Sequence, residues 1–280
     1  MSTPLRNMVH ETWAGVAANW GRYADALDLH ETAVTERMLE AVAVQPGDRV
    51  LELACGPGGV GLVAAPLAGA DGEIVLSDVA EEMVAIAVDR AHTRGLTNVR
   101  GATLDLEDID QPDASYDVVL CRQGLMFAVD PEQATREIHR VLRPGGRASL
   151  AAWGPKAANP WLGIVFDAVS CELGHPVPPP GIPGPFNLED TARLRATLAS
   201  AGFGDINAQD VQAPRRWRTF DEWRTWTTAL AGPLATILAG IPEESRTAIV
   251  ERLRSAVAPY TTPSAVEMPS LARVISARRP

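Results

Sequence analysis

From Asp48 to Trp153, short apolar runs alternate with stretches whose apolar positions recur every three or four residues, as strands and helices taken in turn would require. DRVLEL at 48–53, EIVLS at 73–77, NVRGATL at 98–104, YDVVLC at 116–121 and RASLAAW at 147–153 predict five strands. Between them, GVGLVAAPLAG at 59–69, a face of Met83, Ile86, Ala87, Arg90 and Ala91 closing at Gly95, and PEQATREIHRVL at 131–142 predict helices. Alternation of this kind needs crossover connections, so the sheet is expected to be mostly parallel, with its ligand crevice at the carboxyl ends of the strands. Those ends carry Ala54 to Gly58, Asp78, Asp105, and Cys121 to Gly124.

Ahead of this core, residues 9–43 read as helices, with Val34, Met38, Leu39 and Val42 at helical spacing before the turn QPGD at 45–48. Behind it the pattern changes. HPVPPPGIPGPF at 175–186 excludes regular helix and interior strand, and a proline-rich loop over 155–186 is expected, either as a stiff linker or as a pocket wall. A helix at 188–201, a strand near 205–213 and a last strand near 270–278 complete the sheet, with a helical, Trp-rich block at 218–259 between the last two. The expected division is a helical arm at 1–43, an α/β domain formed by 44–217 and 265–280, and an inserted helical cap at 218–264.

Composition narrows the partners. The 280 residues are 46% hydrophobic, enough for a large core, and carry a net charge of −10, which repels nucleic-acid backbones and anionic membranes at long range. A small-molecule partner is expected, with neither nucleic acid nor membrane insertion, and a homodimer stays open. Lys156 is the sole lysine, which leaves Schiff-base chemistry one candidate, in a Gly/Pro/Ala loop. Cys55, Cys121 and Cys171 form no CxxC pair and no ligand-like cluster, so neither a disulfide framework nor a metal is expected. The start MSTPLRNMVHETW has no apolar h-region, and the run at 229–241 is too short for a bilayer and contains Pro233. A soluble, cytoplasmic protein is the expectation.

The chemistry concentrates in LELACGPGG at 51–59 and in Asp78, twenty residues beyond Gly58. Glycines let a strand turn sharply into a helix and let a ligand lie against bare backbone. A carboxylate at the next strand end accepts hydrogen bonds from both hydroxyls of an adenosyl ribose. The plainer readings are a tight connection for the glycines and, for Asp78, an N-cap completed by Glu81. Capping and binding are compatible.

Taken in order, LELACGPGG, Asp78 after EIVLS, LDLED at 104–108, SYDVVLCRQGLMF at 115–127 and EIHRVLRPGG at 137–146 resemble the motifs of class I S-adenosylmethionine-dependent methyltransferases, in particular the ubiquinone/menaquinone methyltransferase-like group. The resemblance implies an α/β, Rossmann-like fold: a seven-stranded, mostly parallel sheet whose last strand is antiparallel, with helices on both faces. It also implies S-adenosyl-L-methionine as cofactor and direct in-line methyl transfer to a small hydrophobic or aromatic acceptor, as in O- or C-methylation of a phenol, quinol or natural product. Carried over by position, Glu52, Ala54, Cys55, Gly56 and Gly58 hold the methionine moiety and Asp78 the ribose hydroxyls. Asp105 accepts from the adenine amino group, while Val79, Met83 and Leu106 pack on the ring. Cys121, Arg122 and Gln123 border the methyl, and Tyr23 joins them from the arm. The family often has glycine where this chain has Ala54.

The rival reading is a nicotinamide-dependent dehydrogenase, because Gly56, Gly58 and Gly61 also satisfy GxGxxG. Glu52 inside the first strand, the helical arm ahead of it and RPGG before the fifth strand all disfavour that reading. A binding protein for the same cofactor without methyl transfer is a second alternative.

A phenolic acceptor, with a pKa near ~10, gains from a general base, and the residues do not mark one. The catalytic candidates are His30, His175 and Gln123, with His10 also in the arm. His139 sits on a helix face expected to pack on the sheet, and His92 lies remote from the strand tips. Trp13, Trp20 and Tyr23 of the arm are read either as facing a sulfonium cation or closing the pocket, or as anchors of the arm on the sheet. Met126 and Phe127 are expected to line an apolar acceptor site, and Trp217, Trp223 and Trp226 with the apolar run at 229–241 point to a greasy cap.

Overall fold

In the computed structural model, which describes residues 3–280, three arm helices lead into the sheet: α1 (Thr3–Arg22), α2 (Ala24–His30) and α3 (Thr32–Val42). Alternating units follow as β1 (Arg49–Glu52), α4 (Gly59–Ala68), β2 (Glu73–Asp78), α5 (Glu81–Thr93), β3 (Val99–Thr103), β4 (Tyr116–Arg122), α6 (Pro131–Val141) and β5 (Leu142–Trp153). The remainder is α7 (Pro160–Leu173), α8 (Thr191–Ser200), β6 (Gly204–Gln212), β7 (Arg215–Trp217), α9 (Phe220–Leu230), α10 (Pro233–Gly240), α11 (Glu243–Val257), β8 (Val266–Met268) and β9 (Leu271–Arg278).

The seven-stranded sheet has the order β3-β2-β1-β4-β5-β9-β6. Strands β1 to β5 pair in parallel, and β9 runs antiparallel to both β5 and β6. The direction of winding reverses between β1 and β4, which opens the crevice of such a sheet above those two strand ends. Both strands are buried on both faces, as Val50, Leu51, Val118, Val119 and Leu120 show, so they read as apolar runs without alternation.

The helices follow the spacing and caps of their sequences. In α3, Val34, Met38, Leu39 and Val42 are all buried. In α6, Pro131 occupies the first turn and Asp130 accepts from the Gln133 amide at 3.0 Å, while Ala134, Ile138 and Val141 face the core. Among the described residues, no helix is long and apolar enough to cross a membrane.

Three features depart from the expected pattern. The stretch 155–186, expected as loop, carries the 14-residue helix α7, whose Trp161, Leu162, Val165, Phe166 and Val169 are buried. Its apolar residues surround most of the helix, so it lacks the one-sided periodicity that marks a surface helix. Buried Asn159 fixes its start, donating to the Leu271 carbonyl and accepting from the Leu271 amide, both at 2.9 Å. Next, β5 begins at Leu142 rather than at Arg147, because Leu142 pairs with Tyr116 before an irregularity in register carries the chain past RPGG. Finally, β7 and β8 pair into a separate two-stranded ribbon that brackets α9, α10 and α11.

Candidate donor and acceptor site

The turn from β1 to α4 places three left-handed residues within five positions: Ala54 (φ 49°), Gly56 (φ 51°) and Gly58 (φ 87°). For Ala54 that conformation costs roughly 1–2 kcal/mol, and glycine at this position would remove the strain. A side chain on Gly58 would press on the Ala87 and Leu62 side chains at 3.0 and 3.2 Å, so α4 and α5 approach closely only with glycine there.

Two buried carboxylates stand beside this turn. Asp78, at the end of β2, accepts from the Gly56 amide at 2.9 Å and the Ala80 amide at 3.1 Å, one on each oxygen. A carboxylate offers about four acceptor positions, so Asp78 keeps capacity for two more donors. Burial raises its pKa, against the amide hydrogen bonds that lower it. Glu52 accepts from the amides of Val60 at 3.1 Å and Gly61 at 2.7 Å, in the first turn of α4. It thus compensates the exposed amides and positive dipole end of that helix. Burial pushes Glu52 up to about 7, with the Arg122 charge and the two amide bonds opposing. Cys55 and Cys121 are buried and their thiols are raised, Cys121 to about 12, so both stay neutral.

The arm roofs the crevice. Trp20 of α1 lies against Gly56, where a β-carbon would come within 3.4 Å of its ring, and its Nε1 donates to the Leu230 carbonyl at 3.2 Å. Trp13 packs edge-on to Phe127, with ring centroids 4.8 Å apart. Met83 is buried with Val16, Ala17 and Ala80. Asp105 accepts from the Glu107 amide on Oδ1 and from Arg6 on Oδ2, with His10 Nε2 at 3.2 Å from Oδ2. Val79 and Leu106 are half-buried beside these groups. Tyr23, between α1 and α2, packs against the main core. Arg90 of α5 then latches the arm through Asp25 and Asp28 and holds the glycine turn through the Pro57 carbonyl.

At the tip of β4, Arg122 donates to Thr35 at 2.7 Å, and just past it Gln123 takes a left-handed conformation (φ 57°). Gln123 Nε2 donates to Glu31 Oε2 at 2.7 Å, and the other oxygen of Glu31 accepts from Arg215. His30 lies 5.3 Å from the rings of both Trp217 and Trp226. Burial and the Arg215 charge lower its pKa to about 4, so it is neutral at pH 7. The structure therefore brings His30 and Gln123 together around Glu31. It leaves His175 exposed, with its ring nitrogen directed to the adjacent Pro176 carbonyl. His139 packs edge-on to Phe203, as expected of a packing residue.

Sequence reasoning missed Arg6 on Asp105 and the Glu31–Arg215 pair. Neither belongs to a local motif, and only the fold brings their partners near. A depression of about 510 Å³ lies between α5 and edge strand β3, lined by Val84, Val88, His92 and Gly101. The glycine turn, Asp78 and the β4 tip take no part in it.

Comparison with known proteins agrees with this geometry. A family described as a methyltransferase domain matches residues 50–146. The ubiquinone/menaquinone biosynthesis C-methyltransferase UbiE of Azotobacter vinelandii is 35% identical over 58% of this chain and 64% of its own. Its counterpart in Xanthomonas campestris is 33% identical over 60% and 67%. The chain thus spans just under two thirds of the first relative. Among solved structures, the YcgJ protein from Bacillus subtilis superposes with a TM-score of 0.58 at 20% identity, covering 88% of this chain and 97% of that one, a likeness of fold alone. The [4+2]-cyclase SpnF superposes with a TM-score of 0.54 at 25% identity, covering 88% and 80%.

Proposed function

Since this chain belongs to the class I S-adenosylmethionine-dependent methyltransferases, of the ubiquinone/menaquinone methyltransferase-like group, we propose that it methylates a small hydrophobic or aromatic acceptor at oxygen or carbon. The observation that carries the donor half is Asp78, a buried carboxylate with free acceptor capacity beside a left-handed glycine turn. When bound, S-adenosylmethionine supplies an electrophilic methyl group. The residues that would hold it are the backbone of Ala54, Cys55, Gly56 and Gly58 for the methionine part and Asp78 for the ribose hydroxyls. Val79, Met83 and Leu106 would flank the adenine and Asp105 would accept from its amino group. Glu52 serves by fixing the start of α4, and Arg122, Gln123 and Cys121 border the reacting face. Tyr23 closes the arm side.

The protein's own task is alignment and exclusion of water. Positioning of two reactants supplies about 7 to 11 kcal/mol of a barrier, and direct displacement needs no covalent enzyme intermediate. Trp13 and Trp20 of the arm and the α9–α11 cap exclude water, and Phe127 with the cap's Trp residues presents an apolar surface to the acceptor. The relatives named for quinone biosynthesis support a phenol or quinol ring as the acceptor. The second, rival reading is cofactor binding without methyl transfer.

One experiment separates them. The protein is incubated with methyl-labelled S-adenosylmethionine and a pool of phenols, quinols and lipids. The expected outcome is a labelled phenol or quinol with matching S-adenosylhomocysteine. Measurable cofactor binding with no labelled product would overturn methyl transfer and favour the second reading.

A further inference from the structure

We propose that a buried aromatic box at the carboxyl ends of β4 and β5, built on Arg215, is the subsite for the acceptor's oxygen, and that it selects a neutral aromatic ring bearing a hydroxyl or carbonyl. The proposal rests on the acceptor reading above and adds the chemistry by which that acceptor is chosen.

Arg215 is 1% exposed and lies among indole rings, its Cζ 4.0 Å from the centroid of Trp161, 5.0 Å from Trp153 and 5.6 Å from Trp226. The Trp217 and Trp226 rings stand 5.7 Å apart, with His30 against both. Flat faces on several sides suit a flat ring. Among the described residues, three buried groups of this box have no hydrogen-bond partner: Arg215 Nη1, Trp217 Nε1 and Trp226 Nε1. Buried polar groups are nearly always paired, so three orphans on residues joined through Trp226 favour a ligand there. All three are donors, which makes the matching ligand atom an acceptor.

Charge decides which acceptor. Arg215 is already matched by Glu31, 2% exposed, whose second oxygen takes Gln123. The pair is neutral as a whole, and His30 is uncharged at pH 7. A carboxylate entering this box would bring a buried charge that Arg215, already paired with Glu31, does not balance. A phenol or quinone oxygen brings lone pairs and no charge. Trp226 rides on α9 while Trp153 and Trp161 belong to β5 and α7, so three separate elements wall the box.

The test is calorimetric titration with 1-naphthol, naphthalene and 1-naphthoate, on the wild type and on the W217F/W226F variant. The variant keeps one aromatic ring at each position and removes two donors. The smaller phenyls leave gaps in the core, so a lower melting temperature with the fold retained is expected, and W226F alone controls for the packing loss. The wild type should bind 1-naphthol ~tenfold tighter than either analogue, the worth of a hydrogen bond to an otherwise unpaired buried donor. In the variant, naphthalene affinity should stay and the naphthol preference should fall to within ~threefold. W226F alone should fall between. A wild type that binds none of the three, binds naphthol no tighter than naphthalene, or prefers the naphthoate overturns the proposal, as does a preference that survives in the variant. S-adenosylhomocysteine titrated in parallel reads the donor site separately: its failure to bind would sink the methyl-donor reading while the naphthol ratio still judges the box.

Discussion

At the scale of single residues, the two carboxylates by the glycine turn have opposite assignments and separable tests. Asp78 is proposed to bind ribose, and Asp78→Ala removes acceptors for charge-assisted bonds worth about 1.5–3 kcal/mol. Affinity for S-adenosylhomocysteine should fall ~10- to 100-fold by calorimetry, and an unchanged affinity would remove Asp78 from the site. Glu52 acts on stability. Its pKa rises on folding from an ordinary 4.5 to about 7, so its contribution is complete below pH 4.5 and is lost as pH rises through 7. The stability difference between wild type and Glu52→Gln should therefore decline by about 3 kcal/mol over that window and stay flat above it. Denaturant titrations at pH 4.5, 6 and 8 measure it, and a difference that grows with pH would contradict burial as the dominant cause. Asp78 was legible in the sequence because a carboxylate ending an apolar run stands out locally. Arg215 was not, since its partner Glu31 is 184 residues away and no spacing rule reaches that far.

At the scale of elements, the arm was legible as helices and illegible in its docking. Val34, Met38, Leu39 and Val42 announced α3 by spacing alone. That α1 would set Arg6 on Asp105 could not be read, because the contact joins positions 99 apart. The contact matters for the donor site, since Asp105 is the proposed adenine partner and Arg6 already occupies one of its oxygens. Arg6 and Asp105 side chains are 29% and 20% exposed, so their pairing is worth at most ~1 kcal/mol. Arg6→Ala should raise affinity for S-adenosylhomocysteine by up to ~fivefold, and the gain should shrink as salt screens the wild-type pair. A weaker affinity would instead make Arg6 part of the cofactor's own binding surface. Helix α7 teaches the complementary lesson. A helix apolar on most sides has no stripe to betray it, and its neighbour, the proline-rich 175–186, drew the whole stretch into the loop reading.

At the scale of the molecule, the order β3-β2-β1-β4-β5-β9-β6 puts the proposed donor residues at the ends of β1 and β2 and Trp153 of the aromatic box at the end of β5, across the reversal between β1 and β4. The alternating core was legible because each strand–helix–strand unit is local and right-handed crossovers leave few ways to join them. The cap was legible only as a greasy block, since its position depends on side chains of the arm and of α7. This arrangement gives a whole-molecule test of the cofactor's identity. A ligand held only by the folded state stabilises it by RT ln(1 + [L]/Kd), about 2.7 kcal/mol at a hundredfold excess over Kd. For a domain of this size each kcal/mol is worth roughly 2–4 °C, so S-adenosylhomocysteine should raise the melting temperature by about 5–10 °C. NAD should leave it unmoved, because the arm packs over the groove where a second nucleotide would have to run. An equal shift with NAD would revive the dehydrogenase reading. In the same assay Asp78→Ala should lose about half of the shift or more and W217F/W226F should keep it, because the first acts on the β1–β2 side of the crevice and the second beyond β4. Loss of the shift in W217F/W226F as well would overturn the assignment of that box to the acceptor alone.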